Sequence, residues 1–217
     1  MTQPLGGSVS LAKRLFSGAV RLLARGLLRL TIQGRENVPP TGGALLTMNH
    51  LGGADPVLVL AFAPRPVLPA GKVEIQRWPV FGRIAQWYGM IPLRRGEADR
   101  AALQQLLAIL EAGQALLIAP EGRESHSGAL EAAKGGSAFL ALHARVPIVP
   151  IAITGTAWNE ILPAWRRLRR PCVTLTFGAP YRLPDGLRRP AAAEFIMQQI
   201  AALLPSGYRG VYAGEAG

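Results

Sequence analysis

From Gly34 onward, short aliphatic or β-branched runs alternate with longer segments of helical periodicity, and this alternation constrains the fold more than any other feature of the chain. The pattern predicts strands at 44–48, 67–70, 90–93, 115–119, 148–154 and 173–177, with helices at 56–62, 78–88, 98–112, 130–143 and 190–204. Runs such as Ala44-Leu45-Leu46-Thr47-Met48 and Ala115-Leu116-Leu117-Ile118-Ala119 are apolar almost throughout. Strands of that kind bury both faces, so the expected class is α/β, a single layered domain with a largely parallel sheet flanked by helices. At 217 residues the chain is long enough for one substantial core and short for two enzyme domains, which makes 33–217 one domain behind an N-terminal segment, 1–32. Chemistry in such sheets belongs at the carboxyl ends of the strands, where loops lead into helices.

The N-terminal segment predicts an amphipathic helix over 9–32. Arg14, Arg21, Arg25 and Arg29 fall in one stripe, and Phe16, Ala19, Leu23, Leu27 and Leu30 collect on the opposite face. It is too charged to span a bilayer, and Gly18 and Gly26 weaken it. Two readings share this pattern: a helix lying in an anionic membrane surface, or one packed on the protein's own core with a solvated basic face. The chain carries 24 basic against 13 acidic residues, a formal charge of +11, and all its cations but Lys13, Lys72 and Lys134 are arginine. That surplus suits a phosphate, a carboxylate or an anionic surface. Aromatic residues are only 6% and do not interleave with the basic clusters, so a nucleic-acid partner is not expected. One cysteine, Cys172, and no secretory leader point to a reducing compartment.

Two strand ends carry the candidate chemistry. After the strand at 44–48 comes Asn49-His50-Leu51-Gly52-Gly53-Ala54-Asp55-Pro56. The glycines let the loop turn sharply enough for the Asp55 carboxylate to reach one imidazole nitrogen of His50, leaving the other free as a base. A loop histidine and an aspartate capping the following helix would have the same spacing. After the strand at 115–119 comes Pro120-Glu121-Gly122-Arg123-Glu124-Ser125, where a glycine turn and a guanidinium could hold an anion. Gly89 to Gly96 forms a third candidate, with Arg94 and Arg95 ending a short strand.

In order and spacing these stretches resemble the lysophospholipid and glycerophosphate acyltransferases, among them the 1-acyl-glycerol-3-phosphate acyltransferases. Asn49, His50 and Asp55 match the family's first motif, and Gly89 with Arg95 its second. Pro120, Glu121, Gly122 and Ser125 match the third, with Arg123 at a position usually threonine and Glu124 at one usually arginine. Val146-Pro147-Ile148-Val149-Pro150-Ile151 matches the fourth. Lys72 with Glu74, Lys134-Gly135 and Tyr208-Arg209-Gly210 also fit.

The resemblance implies transfer of a fatty acyl group from acyl-CoA or acyl carrier protein to a lysophospholipid hydroxyl, with 1-acyl-glycerol-3-phosphate the first expected acceptor. Glycerol 3-phosphate and a lyso-amino-acid lipid are the alternatives, beside a nonenzymatic binder of anionic lipid or nucleic acid. His50 would be the general base and Asp55 its orienting partner. Asn49, Lys72, Gly89, Arg95, Glu121, Gly122, Arg123 and Ser125 would bind substrate, Lys72 and the N–H groups near Gly52 and Gly53 also being candidates for the oxyanion. No metal and no cofactor beyond the acyl donor are implied, since three scattered histidines and one cysteine offer no ligand cluster. Ser125 lacks the Gly-x-Ser-x-Gly elbow of a serine hydrolase. The expected location is peripheral, on the cytoplasmic face of the cell membrane. Trp165 with Arg166, Arg167, Arg169 and Arg170 would serve the same contact, bind CoA phosphates, or stay solvated. Oligomeric state leaves no mark in the sequence.

Overall fold

The computed structural model describes residues 11–94 and 100–214. Among them, β1 (Arg29–Gln33), β2 (Ala44–Met48), β3 (Val67–Lys72), β4 (Ile91–Leu93), β5 (Ala115–Ile118), β6 (Ile148–Thr154) and β7 (Cys172–Phe177) form one sheet in the order β1-β7-β6-β2-β5-β3-β4. Every neighbouring pair is parallel except β6 and β7. The strands β2 and β5 are buried at every residue, as their unbroken apolar runs require of a sheet covered on both sides.

Side-chain alternation along these strands feeds two cores. Leu45, Leu116 and Ile148 point to one face, under α4 (Arg100–Glu111), α5 (Gly135–Ala144) and α7 (Arg189–Leu203). Leu46, Leu117 and Val149 point to the other, under α1 (Leu11–Leu27) and α2 (Asp55–Phe62). Each fully buried leucine, isoleucine or valine contributes roughly 1.5–3 kcal/mol, so the central strands are the most strongly held part of the fold. The adjacent strands β2 and β5 run parallel, with Thr47 opposite Ile118. Their loops, the two candidate stretches, therefore leave the sheet side by side.

The N-terminal helix is shorter than its periodicity predicts. It ends at Leu27, and Arg29–Gln33 forms β1, parallel to β7. The boundary drawn at residue 32 therefore moves back to about 28. Arg-Leu-Thr-Ile-Gln alternates polar and apolar residues, with Leu30 and Ile32 turned into the second core. That period of two extends the sheet where a helix would have left one edge of β7 unpaired.

The orientation of α1 also differs from the simple basic-stripe picture. Its packed side is made of small residues, Val20 and Ala24 with Leu28 just beyond. Arg21 turns inward to donate to the Ala61 carbonyl, and the Arg25 guanidinium lies 5.8 Å from the Phe62 ring centre. Leu11, Leu15, Leu22, Leu23 and Leu27 point away from the core and are more than half exposed. Among the described residues no helix is long and apolar enough to cross a membrane. The segment 130–134, expected in a helix, is extended loop, because the Leu130 N–H donates to Tyr208 and the Glu131 N–H to the Glu121 carboxylate. A further helix not foreseen from sequence, α6 (Trp158–Arg166), packs its Trp165 indole N–H on the Leu27 carbonyl.

Candidate active site

The loop leaving β2 is organised by one carboxylate oxygen. Asp55, fully buried at the start of α2, accepts on Oδ2 from the Leu51 N–H at 2.5 Å, from the Gly52 N–H at 2.8 Å and from His50 Nδ1 at 3.0 Å. With Asp55 ionised, Nδ1 must carry the hydrogen, which leaves the Nε2 lone pair available. The His50 side chain is 16% exposed, enough for Nε2 to meet a ligand and too little for free rotation in solvent. Gly52 is required by close approach: a Cβ there would stand 2.7 Å from the Thr156 carbonyl oxygen.

The loop leaving β5 grips the same histidine through its backbone. Glu121 Oε1 accepts from the His50 N–H at 3.2 Å, and the Ser125 N–H donates to the His50 carbonyl at 2.7 Å. Glu121 is buried, and its Oε2 accepts the Glu131 N–H at 2.9 Å. Burial pushes its carboxyl up to about 7, against the opposing pull of those two N–H groups. Gly122 takes φ 69°, and a Cβ there would press on the Lys134 side chain at 3.1 Å, so this turn also needs glycine. Arg123 is committed to Glu131, with Nε and Nη2 both on Oε2 at 2.9 and 2.6 Å. Ser125 Oγ donates to the Ala129 carbonyl at 2.6 Å inside its own loop.

Of the residues singled out from sequence, the structure thus brings His50, Asp55, Glu121, Gly122, Arg123 and Ser125 into two touching loops. Lys72 ends β3, on the strand next to β5 and three residues beyond the Pro69–Leu117 pair. Asn49 is different: it is buried, with Nδ2 donating to the Ile153 carbonyl at 2.8 Å and Oδ1 accepting the Ile153 N–H at 2.7 Å. Its amide ties the end of β2 to β6, and at 1% exposure the side chain is closed off from solvent. Gly89 caps α3 (Phe81–Tyr88) at φ 99°, a turn requirement at the sheet edge. Arg95 lies outside the described residues. Gly52 is spent on Asp55, whereas the Gly53 N–H donates to nothing among the described residues. Sequence reading missed an apolar cleft of about 150 Å³ between α1, α2 and α6, walled by Ala54 and Thr156 beside the loop and by Leu27, Leu58 and Trp165. Its walls come from segments far apart in the chain, so no local pattern announces it.

The arrangement is a histidine oriented by a buried carboxylate, next to an apolar cleft. The chain is 29% identical over 164 residues to a 1-acyl-sn-glycerol-3-phosphate acyltransferase of Cocos nucifera, covering 72% of this chain and 51% of that protein. It is 35% identical over 116 residues to a lyso-ornithine lipid O-acyltransferase of Pseudomonas aeruginosa, covering 53% and 44%. The chain spans about half the length of these curated relatives. In fold it is similar to the crystal structure of the 1-acyl-sn-glycerophosphate acyltransferase of Thermotoga maritima, with a TM-score of 0.67 over 92% of this chain and 84% of that one, at 21% identity. The sequence profile described as Acyltransferase matches residues 29–154, more than half of the chain and both candidate loops, and the chain belongs to that family.

Proposed function

We propose that this chain transfers a fatty acyl group from a thioester, acyl-CoA or acyl carrier protein, to the hydroxyl of a lysolipid, with His50 as general base. The observation that carries this is the 3.0 Å contact between His50 Nδ1 and the buried Asp55 carboxylate. Nε2 takes the proton of the acceptor hydroxyl while its oxygen forms a bond to the thioester carbonyl carbon. The imidazolium so formed is stabilised by Asp55. When the tetrahedral intermediate collapses, the carbon–sulfur bond breaks and His50 returns the proton to the departing thiolate. No acyl-enzyme forms, and Ser125, bonded into its own loop, is not a nucleophile.

The oxyanion of the intermediate needs a donor, for which the Gly53 N–H and Lys72 are the proposed groups. The cleft beside Ala54 suits a hydrocarbon chain. Relatives act, by their names, on 1-acyl-sn-glycerol-3-phosphate and on lyso-ornithine lipid, so a lysolipid hydroxyl is the acceptor common to both. The outward leucines of α1 support a peripheral position at a lipid surface, where such acceptors reside.

The test is transfer of a labelled acyl group from acyl-CoA, and separately from acyl carrier protein, to lysophosphatidic acid, glycerol 3-phosphate, lyso-ornithine lipid and a zwitterionic lysolipid. The expected result is transfer to at least one lysolipid that falls by about 10²–10⁴-fold in His50→Ala, the usual worth of a positioned general base. Transfer undiminished in the variant would remove His50 from the chemistry.

A further inference from the structure

The loop after β5 is acidic within a basic chain. Glu121, Glu124 and Glu131 fall within residues 121–131, although the whole sequence holds 24 basic against 13 acidic residues. The other two carboxylates of this loop each have partners, backbone N–H groups for Glu121 and Arg123 for Glu131. Arg123 is held by Glu131 at 2.6 Å, so it neither neutralises Glu124 nor reaches for an anion. Glu121 faces inward, onto the N–H groups of His50 and Glu131. Lys134 lies against Gly122, in a cleft it shares with Glu121 and Glu131.

Among the described residues Glu124 is the one of the three carboxylates with neither a hydrogen bond nor an ion pair. It is half-buried and makes no ion pair among the described residues. Its Oε1 lies 3.7 Å from where a Cβ on Gly53 would stand, and Gly53 belongs to the loop between His50 and Asp55. Its neighbour Ser125 fixes the backbone at that spot by donating to the His50 carbonyl. A partly desolvated carboxylate attracts a cation brought by a ligand and repels an anion, and either effect is stronger there than in open water. Discrimination by charge also works as exclusion, since a phosphate placed against this carboxylate finds a like charge.

We infer that Glu124 is the head-group specificity residue of this site, selecting a lysolipid acceptor that carries an ammonium over one that carries a phosphate. This rests on the acyl-transfer reading and sharpens it to a substrate class. The test compares kcat/KM for lyso-ornithine lipid, whose head group bears an ammonium, with that for lysophosphatidic acid, in the full chain and in Glu124→Gln and Glu124→Arg. A ratio between two acceptors on the same enzyme is insensitive to the fraction folded, so a poorly folding variant still reports. The expected outcome is a preference of at least about tenfold for the ammonium acceptor, reduced in Glu124→Gln and inverted in Glu124→Arg. A wild-type preference for lysophosphatidic acid, or one ratio shared by all three proteins, overturns the inference while leaving acyl transfer intact. Transfer to neither acceptor, from acyl-CoA or acyl carrier protein, overturns the acyl-transfer reading and this inference together.

Discussion

The loop from His50 to Asp55 and the outer face of α1 were built to opposite rules. In the loop, three donors converge on one buried oxygen of Asp55, and the neighbouring strand end holds His50 by both its N–H and its carbonyl. On α1, Leu22 is 73% exposed and Leu23 63%, with little apolar cover from the other described residues. The first region is tied down from within the chain, and those bonds to Asp55 Oδ2 fix the orientation of the His50 ring. The second is apolar surface that the described part of the fold leaves exposed. A fold that spends small residues on the inward side of α1 and leucines on the outward side stabilises itself with the former and leaves the latter as an exposed apolar face.

Asp55→Asn is the sharpest way to break the tied-down region. An asparagine keeps the volume and one acceptor for the loop N–H groups, but it no longer imposes hydrogen on Nδ1 and cannot stabilise an imidazolium. Activity is expected to fall by about 10²–10⁴-fold while the melting temperature drops modestly, the loss of hydrogen bonding to a charged group being about 1–3 kcal/mol. A decrease in kcat smaller than about tenfold would mean that Asp55 only builds the loop and does not tune the base.

Glu121→Gln tests whether the second loop is strained where the first is not. Burial raises the Glu121 carboxyl to about 7 from its ordinary 4.5. The folded state thus favours the protonated form. The stability this contributes is present in full below about pH 4.5 and is lost as pH rises through about 7. Denaturant unfolding of the wild type should therefore lose on the order of 2 kcal/mol across that window relative to Glu121→Gln, which has nothing to titrate there. Parallel curves for the two proteins would show that the N–H groups of His50 and Glu131 hold Glu121 ionised throughout.

How much of this was readable in advance follows the range of the interactions. The His50 loop was legible because its hydrogen bonds close within five residues, so spacing alone states the geometry. Asn49 was misread as a substrate contact because its partner, Ile153, lies 104 residues away. Arg123 looked like an anion holder until Glu131, eight residues on and drawn out of a helical pattern, was seen to occupy it. The parallel sheet was visible in unbroken apolar runs. β1 was not, since Arg29 also completes the arginine stripe of the preceding helix and five residues fit both periods. Pro163 inside α6 hid that helix, although its Trp165, with Arg170 from the segment that follows, closes over the end of α1.

The smallest effect on the folded protein should come from the exposed region. In Leu22→Ser/Leu23→Ser the altered side chains already face water, so thermal stability should move by less than about 0.5 kcal/mol per site. Affinity for a lipid surface should respond quite differently, because each leucine carried from water into the acyl boundary contributes roughly 1.5–3 kcal/mol at full burial. Sedimentation with vesicles containing anionic lipid is expected to weaken by at least about tenfold, even if the two side chains enter only halfway. Raising the salt should weaken it further, as far as Arg14 and Arg25 on the rim of the same face contribute. Equal sedimentation of variant and wild type would assign these leucines to some other cover. A fall in stability of several kcal/mol would mean that the fold itself, and not a membrane, depends on them, and the contrast between the two regions would collapse.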